Sequence, residues 1–266
     1  PEAEGITYGG LYFNVEDLSL EDCQNLGVVI RLITELSSER HSTSELARIR
    51  NTYLGSFNIT NMLVGHENDD GYKHQLAVTY SCLDNNNKIA LDIVKEHLYD
   101  LLFTDEKAVL NVLRQGKAML EMEISMAGHS YAINRAMASA SEFTTVTEMV
   151  SGYSFYNYVK EMIDSFSKEK LERLQTVYKS VFTKNRLTLS VMSAQQQEVV
   201  KNILAAIEED SRPVIKADRE VMAKANEGIV IASGVGYAAM GANVSNAIKD
   251  IKGNLAVVNK VLGLDY

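Results

Sequence analysis

Ile6-Thr7-Tyr8-Gly9-Gly10-Leu11-Tyr12-Phe13-Asn14-Val15 alternates aromatic, aliphatic and small residues in the manner of a strand. Ser19-Leu20-Glu21-Asp22 follows at once as a helix start, with acids in its first turn. Leu26, Val29, Ile30, Ile33 and Leu36 recur at helical spacing and form its buried stripe. A second helix opens at Ser42-Thr43-Ser44-Glu45, a capping box ahead of Leu46, Ile49 and Tyr53. Two strand-like runs, Ser56 to Val64 and Lys73 to Leu83, flank the polar turn Gly65–Gly71 and predict a hairpin. Strand, two helices and hairpin in this order imply an α+β chain with an antiparallel-type sheet covered by helices.

From Asn85 to about Ala140 the pattern is helical. Ile89, Ile93, Leu98 and Leu102 line a first helix; Val109, Leu113, Leu120 and Ile124 line a second. Shorter helices are expected at Thr144–Met149 and Phe155–Ile163, a longer one at Lys168–Phe182, a strand at Arg186–Met192 and a helix at Ala194–Ile207. Glu208-Glu209-Asp210-Ser211-Arg212-Pro213 joins an acid cluster to the only internal proline and reads as a boundary. Residues 1–210 are therefore expected to form one complete α+β domain. Residues 211–266 read as a linker, strands near Ile229 and Tyr237, and a helix carrying Ile248, Ile251, Leu255, Val258 and Leu262. The opening Pro1 and a last helix with nothing to pack on lead to the expectation of a fragment whose second domain is cut short.

The chain has 266 residues, 46% of them hydrophobic and 23% charged, which suits a buried core and excludes disordered or fibrous classes. Twenty-six Lys and Arg face 35 acids, for a net charge of −9. A surface of that sign repels phosphate backbones and anionic lipid, so neither nucleic acid nor membrane is expected as a partner. The uncharged stretch Gly228–Ile248 is broken by Gly234, Gly236, Gly241, Asn243 and Asn246, and is not a membrane span. No signal peptide is evident in the opening residues. Cys23 and Cys82 make no disulfide framework and read as small core hydrophobes of a reducing compartment.

Five constellations could carry chemistry. The histidines His41, His66, His74, His97 and His129 show no helical pair at the spacing of a zinc site. Ile93-Val94-Lys95-Glu96-His97 has the form of H-x-x-E-H with its first ligand replaced by isoleucine, and one imidazole cannot hold catalytic zinc. His66, Glu67, Asp69, Asp70 and His74 flank one turn, where a cation site is weighed against an ordinary solvated loop. Gly234-Val235-Gly236-Tyr237-Ala238-Ala239 matches a permissive dinucleotide pattern but lacks a helix beginning inside it. Glu121 and Glu123 point apart on a helix, and Met119, Met122, Met126 and Met137 are expected in the core, with a peptide-accommodating surface as the lesser alternative. No catalytic or metal-binding residue is assigned, and the substrate-binding residues stay open.

Taken in order, these pieces resemble the pitrilysin/insulinase family of zinc peptidases, in its presequence-protease branch. The resemblance rests on Gly5-Ile6-Thr7-Tyr8 with Leu11-Tyr12-Phe13-Asn14, on Thr43, Glu45, Leu46 and Ile49, and on Gly128-His129-Ser130-Tyr131-Ala132 with Arg135, Ala136, Ser139 and Ser141. It continues through Glu148, Gly152 and Tyr153, then Ser233–Tyr237 and Leu262–Tyr266. It implies the third domain and the start of the fourth, in the half of the molecule that lacks the zinc motif. The helix that carries H-x-x-E-H in the first half corresponds to Leu20–Leu36, where Leu26-Gly27-Val28-Val29-Ile30 stand instead.

The resemblance further implies a fragment that is inactive alone. It would wall a closed chamber in which unfolded peptides are degraded, with zinc in the N-terminal half as its partner. His129 is read as a helix-end residue in preference to a kink or a domain contact. The expected location is the cytoplasm or an organelle matrix. The alternative is a non-catalytic scaffold on the same fold.

Overall fold

A computed structural model describes residues 5–66, 71–232 and 234–242. Strand β1 (Ile6–Asn14) leads into helix α1 (Leu20–Ile33), whose N-cap Ser19 accepts a hydrogen bond from the Asp22 amide at 3.1 Å. Helix α2 (Thr43–Tyr53) begins with the expected capping box of Ser42 and Glu45. It runs directly into β2 (Leu54–Gly65), which pairs with β3 (Tyr72–Leu83) as the predicted hairpin. Helices α3 (Asn87–Tyr99), α4 (Glu106–Met126), α5 (Gly128–Met137), α6 (Glu142–Ser151), α7 (Tyr153–Asp164) and α8 (Lys168–Val181) follow, then β4 (Leu187–Met192) and α9 (Gln196–Ala206).

The four strands form one antiparallel sheet in the order β2-β3-β1-β4. One face is packed by helices. Leu11 and Phe13 of β1, and Leu76 and Val78 of β3, are fully buried on it. Phe182, just past α8, meets Phe13 edge-to-face at 5.3 Å between ring centres. The Tyr178 hydroxyl donates to the His97 carbonyl at 3.1 Å and so ties α8 to α3. Helix α1 is the hub, because α4, α6, α7 and α8 all pack on it and leave most of its residues buried. At Gly27 the Phe155 ring of α7 comes so near that an added Cβ would lie 2.7 Å from it.

Several expectations need correction. Met119, Met122 and Met126 are 55%, 57% and 73% exposed, so they are not core residues. Helix α4 turns Val109, Leu113, Leu120 and Ile124 inward, and the methionines lie on its opposite side. Ile89 is exposed and Leu102 lies beyond α3. The strands expected near Ile229 and Tyr237 do not form: the described residues between 211 and 242 make no regular element. That segment crosses helices and finds no sheet edge to pair with, so the β-branched run Ile229-Val230-Ile231 has no ladder to join. The helix expected over Ile248–Leu262 lies outside the described residues, as do Glu67, Asp69 and Asp70.

Candidate functional site

Among the described residues no helix packs on the second face of the sheet. Directly opposed residues of an antiparallel pair share a face, so the register names its surface. It consists of Ile6, Tyr8, Gly10, Tyr12 and Asn14 from β1; Ser56, Asn58, Thr60, Met62 and Val64 from β2; Lys73, Gln75, Ala77, Thr79, Ser81 and Leu83 from β3; and Thr188, Ser190 and Met192 from β4. Tyr8 is 48% exposed. Tyr12 lies back along its own strand, and its ring occupies the space above Gly10, where an added Cβ would meet it at 2.9 Å. The Ser56 and Ser81 hydroxyls bond across the hairpin at 2.8 Å.

Hydroxyls, carboxamides and aromatic rings dominate this face, and among its described strand residues only Lys73, at the rim, bears a charge. Such a surface offers stacking and adaptable hydrogen bonds to an extended chain without selecting a side-chain charge. The sheet ends in β2 on one side and β4 on the other, so both outer strands present backbone donors and acceptors.

The residues singled out in the sequence are dispersed. His74 is fully buried on the helical face, with Nε2 3.2 Å from Asn61 Oδ1 and Nδ1 3.9 Å from Cys23 Sγ. His66 is exposed beside the turn, so the two histidines do not converge. Burial pushes His74 down to about 3, with the Arg219 charge adding to it, and pushes the Cys23 thiol up to about 11. A neutral imidazole beside a protonated thiol is packing, not a nucleophile with its base. Glu96 and His97 part company as well. Glu96 accepts from Ser38, and lies 2.8 Å from His41 Nδ1 and 3.0 Å from Arg40. The His97 ring stacks on Phe57 with its centroid 4.8 Å away. Glu121 accepts from Lys117 and Tyr156, whereas Glu123 accepts from Tyr131.

Among the described residues no three His, Cys, Asp or Glu side chains come together in a way that would hold a metal. No described helix is long and apolar enough to cross a membrane. Gly234 and Gly236 lie in irregular chain with no helix at Tyr237, which leaves the dinucleotide pattern without its phosphate-binding helix terminus. His129 sits in the first turn of α5, just past the break from α4 at Ala127, and its ring faces Tyr237 at 5.9 Å.

The pairing of two charged groups escapes sequence reasoning. Arg219, 4% exposed, donates to the carbonyls of Leu18 and Val15 and to the Tyr72 hydroxyl, at 2.9, 3.0 and 2.7 Å. Arg135 stands between two carboxylates, Glu148 at 3.6 Å and Glu227 at 2.5 Å. Burial holds the Glu148 carboxyl above the ordinary range, whereas Arg135 holds Glu227 below it. No local pattern marks these residues, since their partners come from distant parts of the chain.

A family model for the region associated with M16 peptidases of subfamily C matches residues 2–162. Protein HypA of Clostridium perfringens is 20% identical over 268 residues, covering 98% of this chain and 27% of that protein. An uncharacterised protein of Borreliella burgdorferi is 22% identical over 197 residues, covering 73% of this chain and 20% of its own. The crystal structure of a conserved protein from Enterococcus faecalis V583 superposes with a TM-score of 0.58 at 12% identity, over 85% of this chain and 53% of that one. At that identity the likeness concerns the fold alone. The chain spans about a quarter of the length of the curated relatives it matches.

Proposed function

Because the chain belongs to the family associated with M16 peptidases of subfamily C, we propose that it is a wall of the closed chamber in which an M16 zinc endopeptidase degrades unfolded peptides. Its place is the non-catalytic C-terminal half, in the manner of the presequence-protease branch. The N-terminal half of the same protein is its partner, and the cytoplasm or an organelle matrix its location. The uncovered sheet face is the surface turned toward substrate. One observation carries this reading: among the described residues one sheet face is left without helices and, beside a few apolar side chains at its margins, is furnished with Tyr, Ser, Thr, Asn and Gln in place of charges. A chamber that accepts many sequences needs a wall of that character.

Zinc belongs to the other half in this reading. The residues of α1 do not fit the metal, because Leu26-Gly27-Val28-Val29-Ile30 bring no donor side chain. No step of hydrolysis is therefore derived through this chain.

The test uses the full-length protein. Thr60→Glu and Ser190→Glu place carboxylates on the open face at exposed positions. Expected are a KM raised severalfold for an unfolded acidic peptide, unchanged zinc content and an unchanged melting temperature. Unaltered kinetics in both variants overturn the assignment of this face. A full-length protein lacking both zinc and peptidase activity overturns the enzyme reading, in favour of a scaffold.

A further inference from the structure

From Val214 onward the described chain runs back over the domain in extended, irregular form, and its two halves are fastened differently. In the upstream half the Ala217 amide donates to the Glu16 carbonyl at 2.9 Å and the Met222 amide to Thr145 Oγ1 at 3.0 Å. Between them sits Arg219 with its three bonds. The Tyr72 hydroxyl that it meets donates onward to Glu142 at 2.6 Å, and the other oxygen of Glu142 takes the Lys216 ammonium at 3.0 Å. Detaching this half would break three hydrogen bonds of one buried guanidinium together and take from the Leu18 carbonyl its only close donor among the described residues, and that makes it a fixed point.

The downstream half is mostly exposed. Glu227 fastens it through a two-pronged pair with Arg135, at 2.5 and 2.7 Å. Tyr237 and Ile231 close on Gly128 so tightly that an added Cβ would lie 2.6 Å from the tyrosine ring. Beneath it is a cavity of about 690 Å³, walled by Ile124, Tyr131, Ala132 and Tyr153 on the helical side. When the Glu227 pair opens, Arg135 keeps the Ser154 hydroxyl at 2.9 Å and Glu148 at 3.6 Å.

We propose that residues 223–232 and 234–242 belong to a releasable clasp that pivots just beyond the Met222–Thr145 bond, is caught by the Glu227–Arg135 pair, and uncovers the cavity on α4, α5 and α7 when it opens. Glu148 makes the catch reversible. It is fully buried, its Oε2 lacks a hydrogen-bond partner among the described residues, and it stands ready to take the guanidinium that Glu227 gives up.

A thiol on the cavity wall reads the clasp directly, because Cys23 and Cys82 are buried. In the 266-residue chain carrying Ala132→Cys, the labelling rate with a maleimide is compared with and without Glu227→Gln, and with and without Tyr237→Ala. Losing one part-exposed ion pair should raise the rate about two- to fivefold. Added 0.5 M sodium chloride should speed the parent and leave the Glu227→Gln protein unchanged. Equal rates in all three proteins overturn the proposal. So does a rise accompanied by labelling of Cys23 or Cys82, since the opening would then be global unfolding.

Discussion

His74 shows what burial does to one titratable side chain. Its imidazole is held down at about 3, whereas an unfolded chain titrates near 6.5. Between those values the unfolded state binds a proton that the folded state refuses, so stability rises with pH through this window and is complete above it. Acidifying from pH 6.5 should therefore cost up to ~1.4 kcal/mol per pH unit from this group alone. His74→Gln should flatten that limb, and urea melts at pH 7, 5.5 and 4.5 measure the difference. Parallel curves for the two proteins would sink the idea. Arg219 makes the complementary case. Arg219→Met leaves, among the described residues, the Leu18 carbonyl with only the Cys23 thiol at 3.9 Å and the Val15 carbonyl with only the Leu18 amide at 3.2 Å, with an expected loss of about 1–3 kcal/mol in the same melts. Neither role is legible in the sequence. A histidine two residues into a strand and an arginine in a charged connector look alike whether solvated or buried, and here the deciding partners lie as much as 204 positions away.

Among the elements, two helical glycines separate packing from propensity. Gly27 in α1 faces Phe155, so Gly27→Ala should destabilise by about 1–3 kcal/mol through the clash. Gly116 in α4 meets only the Arg31 Cδ at 3.7 Å, an ordinary contact. Gly116→Ala should therefore stabilise by up to ~1 kcal/mol from helix propensity. Thermal unfolding of both proteins checks the opposite signs. The same contrast explains which elements the sequence discloses. The hairpin and α1 are legible because alternation and a three-four stripe report a buried face directly. The methionines of α4 mislead because periodicity says that residues share a face, not that anything covers it. Ile229-Val230-Ile231 misleads because strand propensity acts only where a partner edge is present. The open sheet face follows from alternation together with register, and register is a tertiary fact.

For the whole molecule, the distribution of charge matters more than its total. The net −9 invites the idea of a wall that draws basic peptides by its field. The open face, however, carries a single lysine at its rim among the described strand residues, so the acids lie elsewhere. Binding of a fluorescent unfolded peptide to this chain should accordingly change less than twofold between 50 and 500 mM sodium chloride, by anisotropy. A steep salt dependence would move the binding site off the sheet.

The strand order has its own outcome for how the molecule comes into being. β1 is made first, yet it lies between β3 and β4, and Thr7 bonds to Ser193, 186 positions later. During synthesis β1 can be matched on one side once the hairpin emerges, but its other edge waits through six further helices for β4. At ribosomal speed that interval is on the order of 10 s. An uncovered strand edge held open that long is a place where a nascent chain pairs with the wrong neighbour, and where a chaperone would be most useful.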